Sequence, residues 1–308
     1  MVSSKARSSR SHADDPASSA RDELRRLAGL LSDEECRHLL SVVNDVAAGE
    51  RFWEGDFGLL YNEYAKLRFF RMGRNIPTAP SIERDGFVPV SITKSYPDAH
   101  HVLLPRPPAL PASLDETLAQ RRSRRSYTGG AIDLDRLSAL LHYGVGVTAT
   151  VPAYGFERLP LRTFPSHGGL QSPEVYAWAD AMEGLEAGLY HYEPRSHGLE
   201  LLRRGDHRRR LQALAFGEGY VAQAAVVLLI TVVYDRLRWK YGDRAYRFAC
   251  MDVGFLGENV YLVSEALGLG ACAISGFAQD AAEEHLGIDG KGELAMLMLT
   301  LGIRAAGE

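Results

Sequence analysis

The stretch over residues 225–234, Ala-Val-Val-Leu-Leu-Ile-Thr-Val-Val-Tyr, constrains the fold more than any other part of the chain. It is branched and apolar with little alternation, the pattern of a strand covered on both faces. The run starting at Ala224 is too short to span a bilayer, which takes about 20 apolar residues as a helix. A strand of this kind requires helices on both sides of its sheet. Shorter strands are predicted over 174–179, 188–193, 199–202, 271–274 and 294–303, the second and third close enough for a hairpin. Helices are predicted over 132–143, over 244–267 with a stop at Gly268-Leu269-Gly270, and over 280–286. Antiparallel strands interleaved with helices on one central sheet make an α+β layered domain. No dinucleotide-binding GxGxxG, no P-loop and no internal repeat is found.

With 308 residues, the chain is long for one compact domain and comfortable for two. Residues 1–20, rich in Ser, Arg and Ala, read as a flexible arm without the apolar core of a secretory signal. Residues 21–105 read as a helical region and linker, with helices over 22–31, from the capping box at Ser32 towards Ala48, and over 57–72. Prolines accumulate up to Pro111 and place a boundary near Pro105, so 106–308 is the main domain. It opens with a second capping box at Ser113 and a helix running into Arg121. A formal net charge of −4 argues against nucleic acid as the main partner. Cys36, Cys250 and Cys272 lack metal-ligand spacing, and the ten histidines show no HxxxH or HExxH pattern, so neither a disulfide framework nor a metal site is expected. A cytoplasmic protein without membrane attachment follows as the expectation.

The segment Arg121-Arg122-Ser123-Arg124-Arg125-Ser126-Tyr127 carries the clearest chemical signal. Four arginines crowded at a helix exit repel one another unless an anion lies between them, and guanidinium forks match phosphate bidentately. A solvated basic turn is the other reading of the same residues. Pro165-Ser166-His167-Gly168-Gly169 lets backbone amides approach a flat or anionic ligand, as does Ser275-Gly276 after a strand, although plain turns look the same.

In order and spacing these segments resemble the nitroreductase-like flavoprotein superfamily. Arg121, Arg122, Ser123, Arg125 and Tyr127 match its R-R-S-x-R-x-[FY] opening, and Pro165, Ser166 and Gly168 match its Pro-Ser-x-Gly turn. Asn259 and Gly268-Leu269-Gly270 match its long helix, Gly276-Phe277 its flavin loop, and Leu301-Gly302 its last strand, with Arg304 just beyond. The resemblance covers about 114–304 and implies FMN, held by Arg121, Arg122, Ser123, Arg125, Pro165, Ser166, His167, Gly168, Asn259, Ser275, Gly276 and Arg304. It also implies a homodimer.

Lys240-Tyr241, just before the long helix, looks like the Lys-Tyr motif of the SagB-type azoline dehydrogenases. The upstream Lys94-Ser95-Tyr96-Pro97 and Val102-Leu103-Leu104-Pro105 resemble that family's N-terminal part. His167 and Gly169 depart from the small alanines common in the Pro-Ser turn, and Asn62 stands where a His is frequent. The resemblance implies oxidation of a peptide or carrier-bound thiazoline or oxazoline to the azole, with a cyclodehydratase as candidate partner. Hydride would go to flavin N5, and the ring proton to a base. Tyr241 and Lys240 are the catalytic candidates, the phenol serving only if cations hold its anion. Adjacent residues point about 100° apart on a helix, so an irregular turn is expected to aim both into one site. The alternatives are an NAD(P)H-dependent nitro or quinone reductase on the same fold, and a flavin-free peptide-binding scaffold.

Overall fold

The computed structural model describes residues 91–306 together with Gly58, Tyr61 and Asn62. The arm and the first two helices expected from the sequence lie outside the described residues; within the third, Gly58, Tyr61 and Asn62 are helical. The chain divides into two units, residues 1–68 and 69–308, and the geometry below belongs to the second.

In chain order the strands are β1 (His100–Leu103), β2 (Ile132–Asp133), β3 (Val147–Ala153), β4 (Phe156–Arg162), β5 (Pro173–Ala179), β6 (Met182–Glu183), β7 (Gly188–Glu193), β8 (Gly198–Arg204), β9 (Val226–Val233), β10 (Leu269–Ile274) and β11 (Glu293–Ile303). Seven of them form one antiparallel sheet in the order β1-β8-β7-β5-β9-β11-β10. The apolar run is thus an inner strand, β9, flanked by β5 and β11. β1 pairs with β8 and so brings residues upstream of Pro105 into the same sheet. The hairpin β3–β4 and the short helices Arg208–Leu214 and Asp235–Tyr241 are elements that apolar periodicity did not single out.

Strand alternation sorts the core into two layers. Val226, Leu228, Ile230 and Val232 of β9, with Val175 and Ala177 of β5, face helices Leu134–Val145 and Ala245–Ala266. Val227 and Leu229, with Tyr176 and Trp178, face helices Arg208–Leu214 and Gln279–Leu286. Each fully buried Val, Leu or Ile contributes roughly 1.5–3 kcal/mol, so β9 must be apolar on both faces.

Helix Ala245–Ala266 ends where Gly268 takes φ +70, a left-handed conformation that glycine reaches without a Cβ clash. Tyr127 explains the glycines that follow. Its buried ring lies over Gly270 and Gly302, which pair across β10 and β11. A Cβ on Gly302 would come within 2.7 Å of the ring, and one on Gly270 within 2.9 Å. The phenol is fixed by Thr300 Oγ1 at 2.7 Å and by Arg124 O at 2.8 Å. Gly302→Ala therefore overpacks a ring that cannot move, and about 1–3 kcal/mol of stability should be lost in thermal unfolding. Gly276→Ala, where nothing lies within 4 Å, should melt like the parent.

Candidate active site

Beyond helix Leu114–Gln120 the chain runs extended against the middle of β10: Ser123 bridges Ala271, and Arg124 N donates to Ala271 O at 2.8 Å. Glu258, Tyr261 and Glu265, spaced along one face of helix Ala245–Ala266, receive this segment. Arg121 stacks on the Tyr261 ring (5.4 Å) and stands 4.0 Å from Glu258. The Ser123 hydroxyl is 3.1 Å from Tyr261 Oη, which accepts from Ala273 N at 2.6 Å. Arg125 is exposed and lies beside Tyr220, Tyr261 and Cys272. Arg122 turns back to donate to Arg121 O at 2.7 Å. Arg124 and Arg304 share Glu265, at 3.7 and 2.9 Å, and Arg304 also donates to Leu269 O at 2.9 Å.

Among the described residues, Arg121, Arg122, Arg124, Arg125 and Arg304 meet only two carboxylates at ion-pair distance, Glu258 and Glu265. The buried Nε atoms of Arg124 and Arg304 have no hydrogen-bond partner. Surplus positive charge, unspent donors and a serine hydroxyl in one place suit a phosphate monoester such as the tail of a flavin nucleotide.

The Pro-Ser turn is built on Asp252, a fully buried carboxylate of the long helix. Ser166 Oγ donates to Asp252 Oδ2 at 2.8 Å, and the His167 backbone N–H donates to Oδ1 at 3.0 Å. His167 Nδ1 lies 2.6 Å from the same Oδ1. Pro165 is exposed at the entry to the turn. Gly168 and Gly169 have φ +64 and +68. A Cβ on Gly168 would stand 2.6 Å from Tyr241 Oη and 2.9 Å from Lys240 Nζ, so the turn backbone lies directly on the Lys240–Tyr241 pair.

These two residues end helix Asp235–Tyr241, which Gly242 terminates at φ +54. They are helical neighbours rather than residues of an irregular turn. The flexible lysine stem covers the angle between them: Nζ sits over the Tyr241 ring at 5.3 Å and over the Tyr154 ring at 4.5 Å. Burial pushes the Tyr241 phenol above its ordinary value, and Lys240 opposes that rise without overcoming it. The ring of Phe248 packs between the two segments, stacked on His167 at 4.3 Å and edge-on to Tyr241 at 4.7 Å.

The nitroreductase family model matches residues 118–303, which contain most of the sheet and all of these site residues except Arg304. The chain belongs to the nitroreductase family. A nitroreductase-like protein of Methanocaldococcus jannaschii is 31% identical over 189 residues, covering 61% of this chain and 90% of that one. The microcin B17-processing protein McbC of Escherichia coli is 26% identical over 133 residues, 42% of this chain and 49% of McbC, so the match spans about half of that relative. The Escherichia coli microcin synthetase McbBCD complex, solved with truncated pro-MccB17 bound, shares the fold at a TM-score of 0.51 and 19% identity, over 77% of this chain and 86% of that one. The family makes it an oxidoreductase, and Lys240-Tyr241 lies within the matched residues.

Within this nitroreductase domain the site residues named from the sequence fall into two groups on one helix. Asp252 anchors the Pro-Ser turn, which lies on the Lys240–Tyr241 pair, while Tyr261 anchors the arginines about 14 Å further along the axis, at 1.5 Å per residue. Asn259 lies between them and donates to Gly144 O at 3.3 Å, tying the long helix to helix Leu134–Val145. Ser275 and Gly276 are exposed just past β10. Sequence reasoning missed Tyr154, Asp252, Tyr261 and Glu265. For Asp252 a signal existed: a carboxylate on the helix face shared with Ala249, Val253 and Leu256 has to be buried.

Proposed function

We propose that this protein is an FMN-dependent dehydrogenase that oxidises a thiazoline or oxazoline of a peptide or carrier-bound substrate to the aromatic azole. One observation carries the reading: an ammonium and a phenol, Lys240 and Tyr241, converge against the Pro-Ser turn of a flavin-type fold. A nitro or quinone reductase has no need of such a base. Bound FMN would supply the hydride acceptor. Arg121, Arg122, Arg125 and Ser123 would hold its phosphate, and Ser166, His167 and Gly168, fixed by Asp252, would support the ring. The Tyr241 phenolate, whose cost the Lys240 ammonium lowers, takes the proton from the azoline carbon and becomes the neutral phenol. Half-buried surroundings exclude bulk water from that transfer and strengthen the Lys240–Tyr241 interaction.

The functional test uses the purified protein and a synthetic thiazoline peptide, following loss of two hydrogens by mass alongside flavin bleaching without NADH. Rapid turnover of NADH and nitroarenes with every azoline untouched would instead assign a nitroreductase activity. FMN should copurify, and Arg121→Ala/Arg125→Ala should lose most of it, since each removed contact is worth on the order of 1.5–3 kcal/mol. Full flavin occupancy in that double variant would sink the arginine assignment.

The two groups on the long helix also support a homodimer, in which one protomer's arginines and its partner's Pro-Ser turn complete each flavin site. Exposed apolar side chains at Leu114, Leu118, Met251 and Phe255 lie on the helices that would meet. Light scattering should report a dimer, and a monomer that retains flavin would refute this arrangement. In a pathway, the azoline would come from a cyclodehydratase acting on Cys, Ser or Thr of the peptide, and that enzyme is the proposed partner. The proposed organisation remains a helical N-terminal region followed by the FMN domain, whose sheet also takes in β1 from before Pro105.

A further inference from the structure

We propose that Tyr154 is a positioning residue that locks the Lys240 ammonium against the Tyr241 phenol from the tip of the β3–β4 hairpin. This rests on reading Lys240 and Tyr241 as the proton-transfer pair. Tyr154 was not singled out by any motif, and its place is set by the backbone. Ala153 pairs with Phe156, leaving a two-residue turn in which Tyr154 has φ +54 and Gly155 φ +78. A turn with both central residues left-handed favours Asn, Asp or Gly, and a bulky aromatic residue is out of place there on conformational grounds. Such an outlier persists where the side chain does something that a better turn former cannot.

What it does is written in its hydroxyl. Lys240 Nζ lies 2.5 Å from Tyr154 Oη, and Tyr154 Oη lies 3.0 Å from Gly168 O. An ammonium has only donors and a carbonyl only accepts, so the proton order is fixed. Lys240 donates to the phenol oxygen, and the phenol donates to Gly168 of the Pro-Ser turn. The Tyr154 ring adds a cation–π contact at 4.5 Å, and Trp239 braces it edge-on at 5.6 Å. A lysine stem has many rotamers, and this double hold selects the one that puts Nζ beside Tyr241. The same hydroxyl ties the hairpin to the turn, so hairpin, turn and helix end meet at one ammonium. Around Tyr241 stand Lys240 from its own helix, which after burial has the largest influence and lowers its titration, and Tyr154 from the hairpin and Asp252 from the long helix, which raise it; His167 packs on the neighbouring Phe248.

Tyr154→Phe keeps the ring and removes the acceptor. The ammonium then loses its anchor, its hold on the Tyr241 anion weakens, and the Tyr241 titration should move up by about one unit, a tenfold smaller phenolate fraction at fixed pH. The measurement is tyrosinate absorption of the full chain against pH, with the Tyr241 signal taken as the difference from Tyr241→Phe in each background. Tyr154→Asn separates positioning from turn geometry. Asn suits the turn, so thermal stability should hold or rise, yet the upward shift of Tyr241 should persist. On a thiazoline peptide both variants should lose about tenfold in kcat, with KM and flavin content changing little. Superimposable Tyr241 titrations in the parent and in both variants would overturn the proposal. A different result would sink the base reading itself: undiminished azole formation by Tyr241→Phe and Lys240→Ala. The titration answers for Tyr154 in either case.

Discussion

Tyr241→Phe should leave flavin content and melting temperature at the parent's level while azole formation falls by roughly 10²–10⁴, the range for loss of a positioned base. The substitution removes one oxygen from a half-buried ring that still packs edge-on to Phe248. Gly168 would gain space rather than lose it. Burial raises the phenol above its ordinary value, and Lys240 pulls it back. Acid-limb activity should therefore rise with pH towards a plateau set by Tyr241 ionisation, and Tyr241→Phe should erase that limb. Lys240→Ala removes the opposing charge, so its surviving activity should require higher pH. If Lys240 is itself the base, its loss will be the more damaging of the two. Parent rates for both variants on an azoline peptide would make the pair structural.

How far the sequence anticipates this site depends on which physical signal each part leaves. The inner strand β9 is legible because burial on both faces demands a continuous apolar run. The arginine segment is legible because crowded like charges need a partner. Tyr127, Gly270 and Gly302 match a family pattern, but the reason they go together appears only when the ring is seen lying on both glycines. The hairpin β3–β4 left no such mark: β3 is largely exposed, and the two strands are interrupted by Pro152 and Pro160 and lack strict alternation. Tyr154 was hidden with it. Asp252, Glu265 and Tyr261 lie on the long helix, and their partners are distant in sequence. Only the fold brings Ser166 and His167 to Asp252, or Arg304 to Glu265.

Arg236→Met should cost about 3–5 kcal/mol, the usual effect of removing one partner from a buried ion pair, and lower the melting temperature by about 10 °C or more. Arg236 and Glu174 are both almost fully buried and stand 2.6 Å apart. Burial alone would raise the Glu174 carboxyl; Arg236, followed by His191 and Arg162, overcomes that and holds it at about 2. A depressed carboxylate stabilises the fold above its ordinary value of 4.5, and that contribution is lost as pH falls towards 2. His191, between Glu174 and Glu200, has the opposite sign. Burial lowers its pKa, the two carboxylates together raise it by more, and its contribution is full below 6.5 and lost as pH rises through the raised value. The Arg236→Met deficit should therefore be largest near neutral pH, where Glu174 is left charged with its main partner gone, and shrink in acid, where Glu174 can take a proton. Adding Glu174→Gln should recover part of the loss, because it removes the stranded charge. Melting within a degree or two of the parent, or no recovery in the double variant, would contradict this account. The effect should also reach catalysis. Arg236 donates to Gln171 O at 2.9 Å, and Gln171 N donates to Ser166 Oγ at 3.0 Å. A residue in the first turn of the helix of Lys240 and Tyr241 thus also holds the far side of the Pro-Ser turn, and its loss should loosen both halves of the proton-transfer site together.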